Sequence, residues 1–398
     1  MKLSNRITGI NAGGSDGWET YVLACEMEEA GKEITHLTIG EHDIRTDPLI
    51  LEAMYNAALD GHTGYTALGN GSVGLRVRIA ERVEKTTGIP TSPDNVFVVP
   101  GGQAGLFATH MGCCDPGDRA MFIDPYYATY PGTIRSVSAE PVPVPARPER
   151  IFQPDPADLE AAAAAAGGVS SLLINSPNNP TGVLYSRETM EGIARFCQEQ
   201  DIWLISDEVY ETQVWTGAHL SPRMLPGMQE RTLVVGSMSK SHAMTGSRIG
   251  WVIGPQEVLE RLDDLATNTT YGVAGFVQEA AAFALGLGES FEEKIAEPFR
   301  RRRGIVMRLV EGQNHVRAIP ADGAMYVMLD IRATGLSGED FANGLLRTHH
   351  VAVMPGESFG RAAAGHIRVA LTVADDRLEE AVRQLLAYAG DLSARRTD

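Results

Sequence analysis

The stretch that decides the fold spans residues 237–251 and reads SMSKSHAMTGSRIGW. It places Lys240 among small residues, and Arg248 follows eight positions later. A lysine amine can form a Schiff base with a carbonyl compound, and an arginine binds a phosphate group through two parallel hydrogen bonds. Two solvated surface cations are the plain alternative, so the function of this stretch depends on what the surrounding sequence predicts.

Short apolar runs bounded by turn residues predict the strands around this stretch. They lie at residues 96–99, 120–123, 172–174, 202–205, 233–235 and 249–253. The runs are continuous rather than alternating, which is typical of strands buried on both faces. Helix-length segments separate several of them, as residues 188–199 separate two of the runs. This alternation predicts a mainly parallel sheet covered by helices.

The pattern of the chain changes near residue 290. A long helical stretch is followed by strand candidates at residues 324–331, 351–353 and 366–371 and by a closing helix at 375–388. We therefore predict an α/β protein with a large domain at 46–290 and a smaller α+β domain. The smaller domain combines an N-terminal segment, 1–45, with the C-terminal part, 291–398.

Two Asp-Pro pairs mark the starts of predicted helices, at Asp47-Pro48 and Asp155-Pro156. An aspartate caps free amides, and a proline is tolerated in the first helical turn. The second helix runs through an alanine tract at 161–166. One face of the first helix carries apolar side chains, namely Leu51, Met54, Tyr55, Ala58 and Leu59.

The composition is that of an ordinary globular protein. The 398 residues are 43% hydrophobic and 21% charged, which argues against a disordered or fibrous chain. The 34 Lys and Arg against 51 Asp and Glu give a formal net charge of −17, which argues against nucleic acid or an anionic membrane as a partner. The four cysteines show no CxxC spacing, and no apolar segment has the length of a signal peptide or membrane span. We expect reduced thiols and a cytoplasmic protein.

Three further segments follow predicted strands and carry polar residues that packing does not require. The glycines of residues 100–105, PGGQAG, let backbone amides approach an anion at a helix N-terminus. Residues 175–182, NSPNNPTG, form a rigid loop with side-chain amides, and residues 206–210, SDEVY, place a carboxylate at a strand end. Taken singly, an ordinary tight turn, a surface loop and a helix cap explain these three segments.

Together the segments resemble the fold-type-I pyridoxal-phosphate enzymes, specifically the class I/II aminotransferases related to aspartate aminotransferase. The resemblance covers almost the whole chain. It rests on the SxSKxxxxTGxRxGW block at Lys240, on NNPTG and DEVY before it, on GYT with G…LR…IA at 64–80, and on HIRV at 366–369. It implies a large domain with a mainly parallel seven-stranded sheet between helices.

The resemblance also implies the roles of the residues around the cofactor, pyridoxal 5′-phosphate. Lys240 holds it as an internal aldimine and then shuttles the proton between the substrate and the cofactor. Asp207 pairs with the ring nitrogen, while Asn179 and Tyr210 bind the ring oxygen. Tyr127, rather than its neighbour Tyr126, stacks on the ring.

Phosphate and substrate contacts follow from the same resemblance. The phosphate group is bound by Gly102, Gln103, Ala104, Ser237 and Arg248. Tyr65 reaches the phosphate of the neighbouring subunit, which implies a homodimer. Arg368 takes the substrate carboxylate in a two-pronged ion pair, together with Asn179 and with Gly40 in a closing N-terminal segment.

The implied reaction is transamination by two ping-pong half-reactions, from an amino acid to a 2-oxo acid. A C–S β-lyase on the same scaffold and a non-catalytic cofactor-binding regulatory protein stay open as alternatives. The GxGxxG match at 69–74 lacks the preceding buried strand of a dinucleotide site. His349, His350 and His366 lack partners at zinc spacing, so we expect no metal.

The substrate side chain is left open by the sequence. In some relatives a lysine at the position of Gln103 binds a distal carboxylate, and in others an arginine near 269–276 does so. The chain has neither, and Arg135 or Arg147 could substitute for them. Strict aspartate specificity is therefore not expected, and aromatic, aliphatic or broad substrates remain open.

Overall fold

The computed structural model describes residues 1–11, 18–66 and 69–397. Its strands are β1 (Thr35–Leu37), β2 (Val96–Val99), β3 (Arg119–Asp124), β4 (Glu140–Pro145), β5 (Ser171–Asn175), β6 (Trp203–Asp207), β7 (Thr232–Ser237), β8 (Gly250–Ile253), β9 (Arg317–Ala318), β10 (Tyr326–Asp330), β11 (Val351–Pro355) and β12 (His366–Ala370). Its helices are α1 (Asn5–Thr8), α2 (Glu19–Glu29), α3 (Pro48–Leu59), α4 (Val73–Thr87), α5 (Gly102–Cys113), α6 (Tyr130–Ser136), α7 (Pro156–Ala166), α8 (Arg187–Glu199), α9 (Met238–Ser241), α10 (Gln256–Thr267), α11 (Gly275–Gly286), α12 (Glu289–Val310), α13 (Gly338–His349) and α14 (Asp375–Thr397).

The larger sheet has seven strands in the order β2-β8-β7-β6-β5-β3-β4. Neighbours from β7 to β4 are parallel, whereas β8 is antiparallel to both β2 and β7. Each of the six predicted apolar runs matches one of these strands, with Ile202 and Ile249 lying one residue before β6 and β8, and the mainly parallel seven-stranded sheet is confirmed. The strand that the sequence did not predict, β4, carries Pro141, Pro143 and Pro145. It lies at the sheet edge, where a missing N–H group is tolerated.

The smaller sheet has five strands in the order β1-β11-β12-β10-β9. The three predicted C-terminal strands are present as β10, β11 and β12, and α14 begins at Asp375 as expected. The strand from the N-terminal segment, β1, pairs parallel with β11. This segment therefore contributes to the smaller sheet, while the domain boundaries at 45 and 290 remain predictions.

The Asp-Pro pairs begin α3 and α7 as the sequence predicts. Asp47 accepts a hydrogen bond from the Leu49 amide at 3.0 Å, and Asp155 does the same for the Ala157 amide. The apolar face of α3, however, is exposed: Leu51, Tyr55 and Leu59 are 49%, 63% and 68% exposed. The side of α3 that is buried carries Ile50 and Ala57.

The start of the chain lies against the larger sheet's helices. Arg6 donates from Nε to the Ser138 hydroxyl at 2.8 Å, and Arg135 donates to the Ile10 carbonyl at 3.1 Å. Residues 5–10 therefore bind near α6, before the chain enters α2 and β1. Within the described ranges, every helix is too short or too polar to cross a bilayer.

Candidate active site

The carboxyl ends of three adjacent parallel strands bring the predicted polar residues together. Asn175 ends β5, Asp207 ends β6 and Ser237 ends β7. Asn175 lies beside Asp207 in the strand register, and the Asn175 side chain donates to the Asp207 carbonyl at 2.9 Å. Lys240 follows immediately in α9. Ligands of open α/β sheets bind at this edge.

Lys240 contacts the segment that follows β1. Its amine donates to the Gly40 carbonyl, and its own carbonyl lies 3.0 Å from His42 Nε2. Burial lowers the pKa of the Lys240 amine, and the positive charges of Arg368 and Arg248 lower it further. The lowered pKa leaves a larger fraction of the amine neutral. The neutral amine is the form that attacks a carbonyl and accepts a proton.

Asp207 is buried, and a tyrosine that the sequence did not single out holds it. The Tyr130 hydroxyl donates to Asp207 Oδ2 at 2.7 Å, and the Val209 amide lies 3.3 Å from Oδ1. Burial raises the pKa of Asp207 to about 6, although these hydrogen bonds oppose the shift. A cation beside this carboxylate would favour its ionised form.

The start of α5 forms a concave backbone surface next to Arg248. The Gly102 and Gln103 amides lie in the first turn, where a helix offers no acceptor, whereas the Ala104 amide donates to the Gly101 carbonyl at 3.1 Å. Gly101 has φ +84° and lies against the Arg248 guanidinium, so a side chain there would collide with it. Free amides and a guanidinium at a helix N-terminus suit a phosphate group.

Ser237 uses its hydroxyl within the protein. This hydroxyl accepts from the Ser239 amide at 3.1 Å and lies 3.1 Å from the Ile249 carbonyl. Arg248 donates to the Thr245 carbonyl at 2.8 Å and has φ +49°. Both side chains therefore lie at this end of the site, held by the loop that follows Lys240.

Arg368 is a buried cation on β12, and its polar contacts are neutral groups. It donates from Nη1 to Asn179 Oδ1 at 2.9 Å and from Nη2 to the Thr38 carbonyl, while its buried Nε has no partner. In the described ranges no carboxylate forms an ion pair with it. Burial lowers the pKa of Arg368. An anionic ligand would compensate this isolated charge.

Tyr127 and Tyr126 point in different directions. Tyr127 lies against Tyr130 with ring centroids 5.8 Å apart, and its pKa is raised mainly by burial, with Tyr326 and Asp207 adding to the rise. Tyr126 packs on Phe122 and lines a cleft of about 1370 Å³. The arrangement brings Tyr127, rather than Tyr126, to the Asp207 side.

Arg135 and Arg147, the two arginines that could bind a distal carboxylate of the substrate, differ in their position relative to this cleft. Arg135 lines it, and so do Gln103, Arg248 and Arg361. Arg147 instead forms an exposed ion pair with Asp158, and it is not among the residues lining the cleft. The side-chain amide of Gln103 donates from Nε2 to the Thr133 hydroxyl at 2.6 Å and accepts at Oε1 from the Thr129 hydroxyl at 3.0 Å.

Tyr65 lies outside the group of buried side chains around Lys240, Asp207 and Arg368. It is 88% exposed, and its ring packs against Tyr271 at 5.4 Å. Gly40 is inside the assembly, because its Cα lies so close to the Tyr326 hydroxyl that a side chain at position 40 would overlap it. Tyr130 and Tyr326 are the contacts that sequence reasoning missed: Tyr130 begins α6 and Tyr326 begins β10, and neither belongs to a motif that the sequence analysis identified.

Known proteins resemble this chain over nearly its full length. Residues 32–385 match the family described as aminotransferase class I and II. An arginine–pyruvate transaminase of Pseudomonas aeruginosa is 39% identical over 392 residues, covering 98% of this chain and 99% of that protein. An aspartate/prephenate aminotransferase of Thermus thermophilus is 35% identical over 373 residues, covering 92% of this chain and 94% of that protein. The structure of aspartate aminotransferase from Thermus thermophilus with maleate superposes with a TM-score of 0.90 at 32% identity, covering 98% of this chain and 100% of the other.

Proposed function

The chain belongs to the class I and II aminotransferases, and from that premise we propose how its own residues carry out transamination. It is an amino-acid aminotransferase, an enzyme of a family that uses pyridoxal phosphate. The observation that carries the proposal is the position of Lys240. Its amine, with a lowered pKa, lies within electrostatic reach of the buried Asp207 carboxylate and of the Arg368 and Arg248 guanidinium groups.

The residues present fit pyridoxal phosphate. Gly102, Gln103 and Arg248 would hold the phosphate group, with Ala104 and Ser237 shaping its surroundings. Asp207 would hold the ring nitrogen, and Asn179 and Tyr210 the ring oxygen, with Tyr127 stacked on the ring. When bound, the cofactor supplies an electron-accepting ring that stabilises negative charge at the substrate α-carbon.

Each remaining step is assigned to a side chain of this protein. Arg368 binds the substrate carboxylate through its two Nη groups, and Asn179 orients the guanidinium. The Lys240 amine, neutral in a larger fraction because of its surroundings, would remove the proton from the substrate α-carbon and deliver it to the C4′ carbon of the cofactor. The segment containing Gly40 covers the amine and excludes water from this exchange.

A homodimer would complete the site. The exposed α3 face is apolar, with Leu51, Tyr55 and Leu59, and Tyr65 and Tyr271 are an exposed pair whose rings are tilted by 45°. Contiguous exposed apolar surface of this kind is typical of an interface. We infer that a second copy covers it and that Tyr65 reaches the partner's phosphate site. Four free thiols are consistent with a cytoplasmic location.

The cleft is lined by side chains of both signs of charge, which supports a broad range of amino donors. Arg135 and Arg361 line it, and so do Glu19 and Glu339, while the residue at the helix start is the neutral Gln103. The relatives are named for arginine with pyruvate and for aspartate with prephenate. We propose that arginine, aspartate and aromatic amino acids are all candidate donors, with pyruvate as one acceptor.

The test is an absorption titration of the holoenzyme with single amino acids and no acceptor. Conversion of the lysine-bound cofactor band to that of pyridoxamine phosphate, with an equal amount of 2-oxo acid, is the expected result. Lys240→Ala is the matched control and should abolish turnover. Pyruvate and ammonia released without an acceptor would instead indicate a lyase, and an unchanged band with every amino acid would indicate a binding protein.

A further inference from the structure

Tyr326 joins the groups that the proposed function uses, although no role has been assigned to it. It begins β10 and is 2% exposed. It lies opposite Ala370 in the register with β12, so its side chain is on the same sheet face as Arg368, two residues away. Its hydroxyl lies 3.0 Å from the Tyr210 hydroxyl and next to Gly40.

The Tyr326 ring forms one wall around the Arg368 guanidinium. The Arg368 Cζ atom lies 4.3 Å from the centroid of the Tyr326 ring and 4.4 Å from that of Phe359. A guanidinium donates its hydrogen bonds in its own plane. Two rings facing this guanidinium therefore fix the plane in which Arg368 can meet a carboxylate, and cation–π attraction strengthens the arrangement because the site is buried.

The Tyr326 hydroxyl has a separate effect on Tyr210. A hydroxyl has one hydrogen, so if Tyr210 donates to the cofactor's ring oxygen, Tyr326 must be the donor in the bond between the two tyrosines. A hydroxyl that accepts a hydrogen bond becomes a stronger donor in its own bond. The two hydroxyls therefore act in series toward the ring oxygen.

We propose that Tyr326 is a positioning residue of the transamination reaction, with its ring orienting Arg368 and its hydroxyl orienting that of Tyr210. The proposal rests on the proposed function, since it needs a carboxylate at Arg368 and a cofactor at Tyr210. The two roles use different parts of one side chain and can be separated by substitution. The titratable and charged groups that face the Tyr210–Tyr326 pair are Tyr127, Tyr130, Lys240 and Arg368.

The hydroxyl role is tested with Tyr326→Phe, which keeps the ring. The readout is the pH midpoint of the absorption change of the bound cofactor in the holoenzyme. Tyr210→Phe should raise this midpoint, and Tyr326→Phe should raise it by about half a pH unit, with KM for the amino acid within about twofold. Because the hydroxyls act in series, Tyr326→Phe should add no shift in a Tyr210→Phe background.

The ring role is tested with Tyr326→Leu and Phe359→Leu. Each should raise KM for the amino acid by about tenfold, since each removes one wall of the guanidinium. Phe359→Leu should leave the absorption midpoint unchanged, which makes it the matched control. Tyr185→Phe, at a buried tyrosine in the core of the larger sheet, controls for the loss of any buried hydroxyl.

An unchanged midpoint in Tyr326→Phe, or a shift that adds fully to that of Tyr210→Phe, would overturn the hydroxyl role. An unchanged KM in Phe359→Leu would overturn the ring role, even if Tyr326→Leu fails to fold. Failure of the proposed function has a different signature, because the wild-type holoenzyme would then show no lysine-bound cofactor band or no response to amino acids.

Discussion

Two buried arginines in this protein have opposite surroundings. Arg82 on α4 donates to Glu211 at 2.8 Å and to Glu292 at 2.6 Å. Burial opposes the charge of Arg82, but the two carboxylates outweigh it and raise its pKa. Arg368 is more deeply buried than Arg82 but contacts only neutral groups, and burial lowers its pKa. From this comparison we infer that Arg82 stabilises the fold, and we propose that Arg368 binds a ligand.

The largest effect is expected from Arg368→Gln. Removing the carboxylate-binding cation should lower kcat/KM for the amino acid by about 10²- to 10⁴-fold. The Tm of the cofactor-free protein should stay the same or rise, because an isolated buried charge opposes folding. Steady-state kinetics measure kcat/KM, and thermal melts of the cofactor-free protein measure the Tm. A large loss of Tm with unchanged kcat/KM would show that Arg368 belongs with Arg82.

Arg82→Gln should have the reverse result. It leaves two carboxylates without their cation, so the free energy of unfolding should fall by about 3–4 kcal/mol. At temperatures well below the Tm, kcat should stay within about threefold, because Arg82 lies outside the site. Urea unfolding at one fixed protein concentration measures the first quantity. Unchanged stability would remove the basis of the comparison.

Asp207→Asn extends the comparison to a buried anion and gives a pH-dependent effect. The pKa of Asp207 is raised by burial to about 6 in the cofactor-free fold, so the folded state binds this proton more tightly than the unfolded chain. Wild-type stability should therefore fall as pH rises from about 4 to 6. The variant lacks this decrease and should be more stable than the wild type at pH 7, by up to about 3 kcal/mol.

Melts of both cofactor-free proteins across this pH range measure the difference between them. Asp124 also has a pKa raised by burial to about 6, but it is present in both proteins and its contribution cancels. With pyridoxal phosphate bound, a ring cation beside Asp207 should remove the decrease in the wild type. Parallel pH curves of the two cofactor-free proteins would contradict the assigned burial of Asp207.

The smallest effect is expected from Arg147→Gln. Arg147 pairs with Asp158 at the surface, where water and salt weaken the attraction. The free energy of unfolding should change by less than about 0.5 kcal/mol, and KM for aspartate should not change. Arg135→Gln is the informative partner variant, because Arg135 lines the cleft. A rise in KM for Arg147→Gln but not for Arg135→Gln would reverse their assignment.

The sequence predicts the fold and much of the site because both are coded locally. Six of the seven strands of the larger sheet are short apolar runs, and Asn175, Asp207 and Ser237 stand at the ends of three of them. A parallel sheet brings such ends together without further information. Tyr130 and Tyr326 could not be found in this way, since each matters only through a contact with a distant residue, Asp207 or Tyr210.

The α3 helix illustrates the limit of periodicity. Its sequence correctly predicts a helix, but two sides carry apolar residues, and only the tertiary structure decides that Ile50 and Ala57 face inward. The choice between Arg135 and Arg147 is similar. Both lie in the same part of the sequence, and only the position of α6 brings Arg135 to the cleft.

The three prolines of β4 affect whether a strand of another molecule can pair with the edge of the larger sheet. In the register with β3, Pro141, Pro143 and Pro145 alternate with Val142 and Val144. The Glu140 and Ala146 amides donate to the Asp118 and Asp124 carbonyls, so the even-numbered positions direct their backbone groups toward β3. The backbone groups of the odd-numbered positions, which are the prolines, therefore face outward from this edge. That edge offers carbonyl acceptors but no N–H donors. A strand from another molecule cannot complete a ladder there, and the prolines protect the largest sheet from edge-to-edge aggregation.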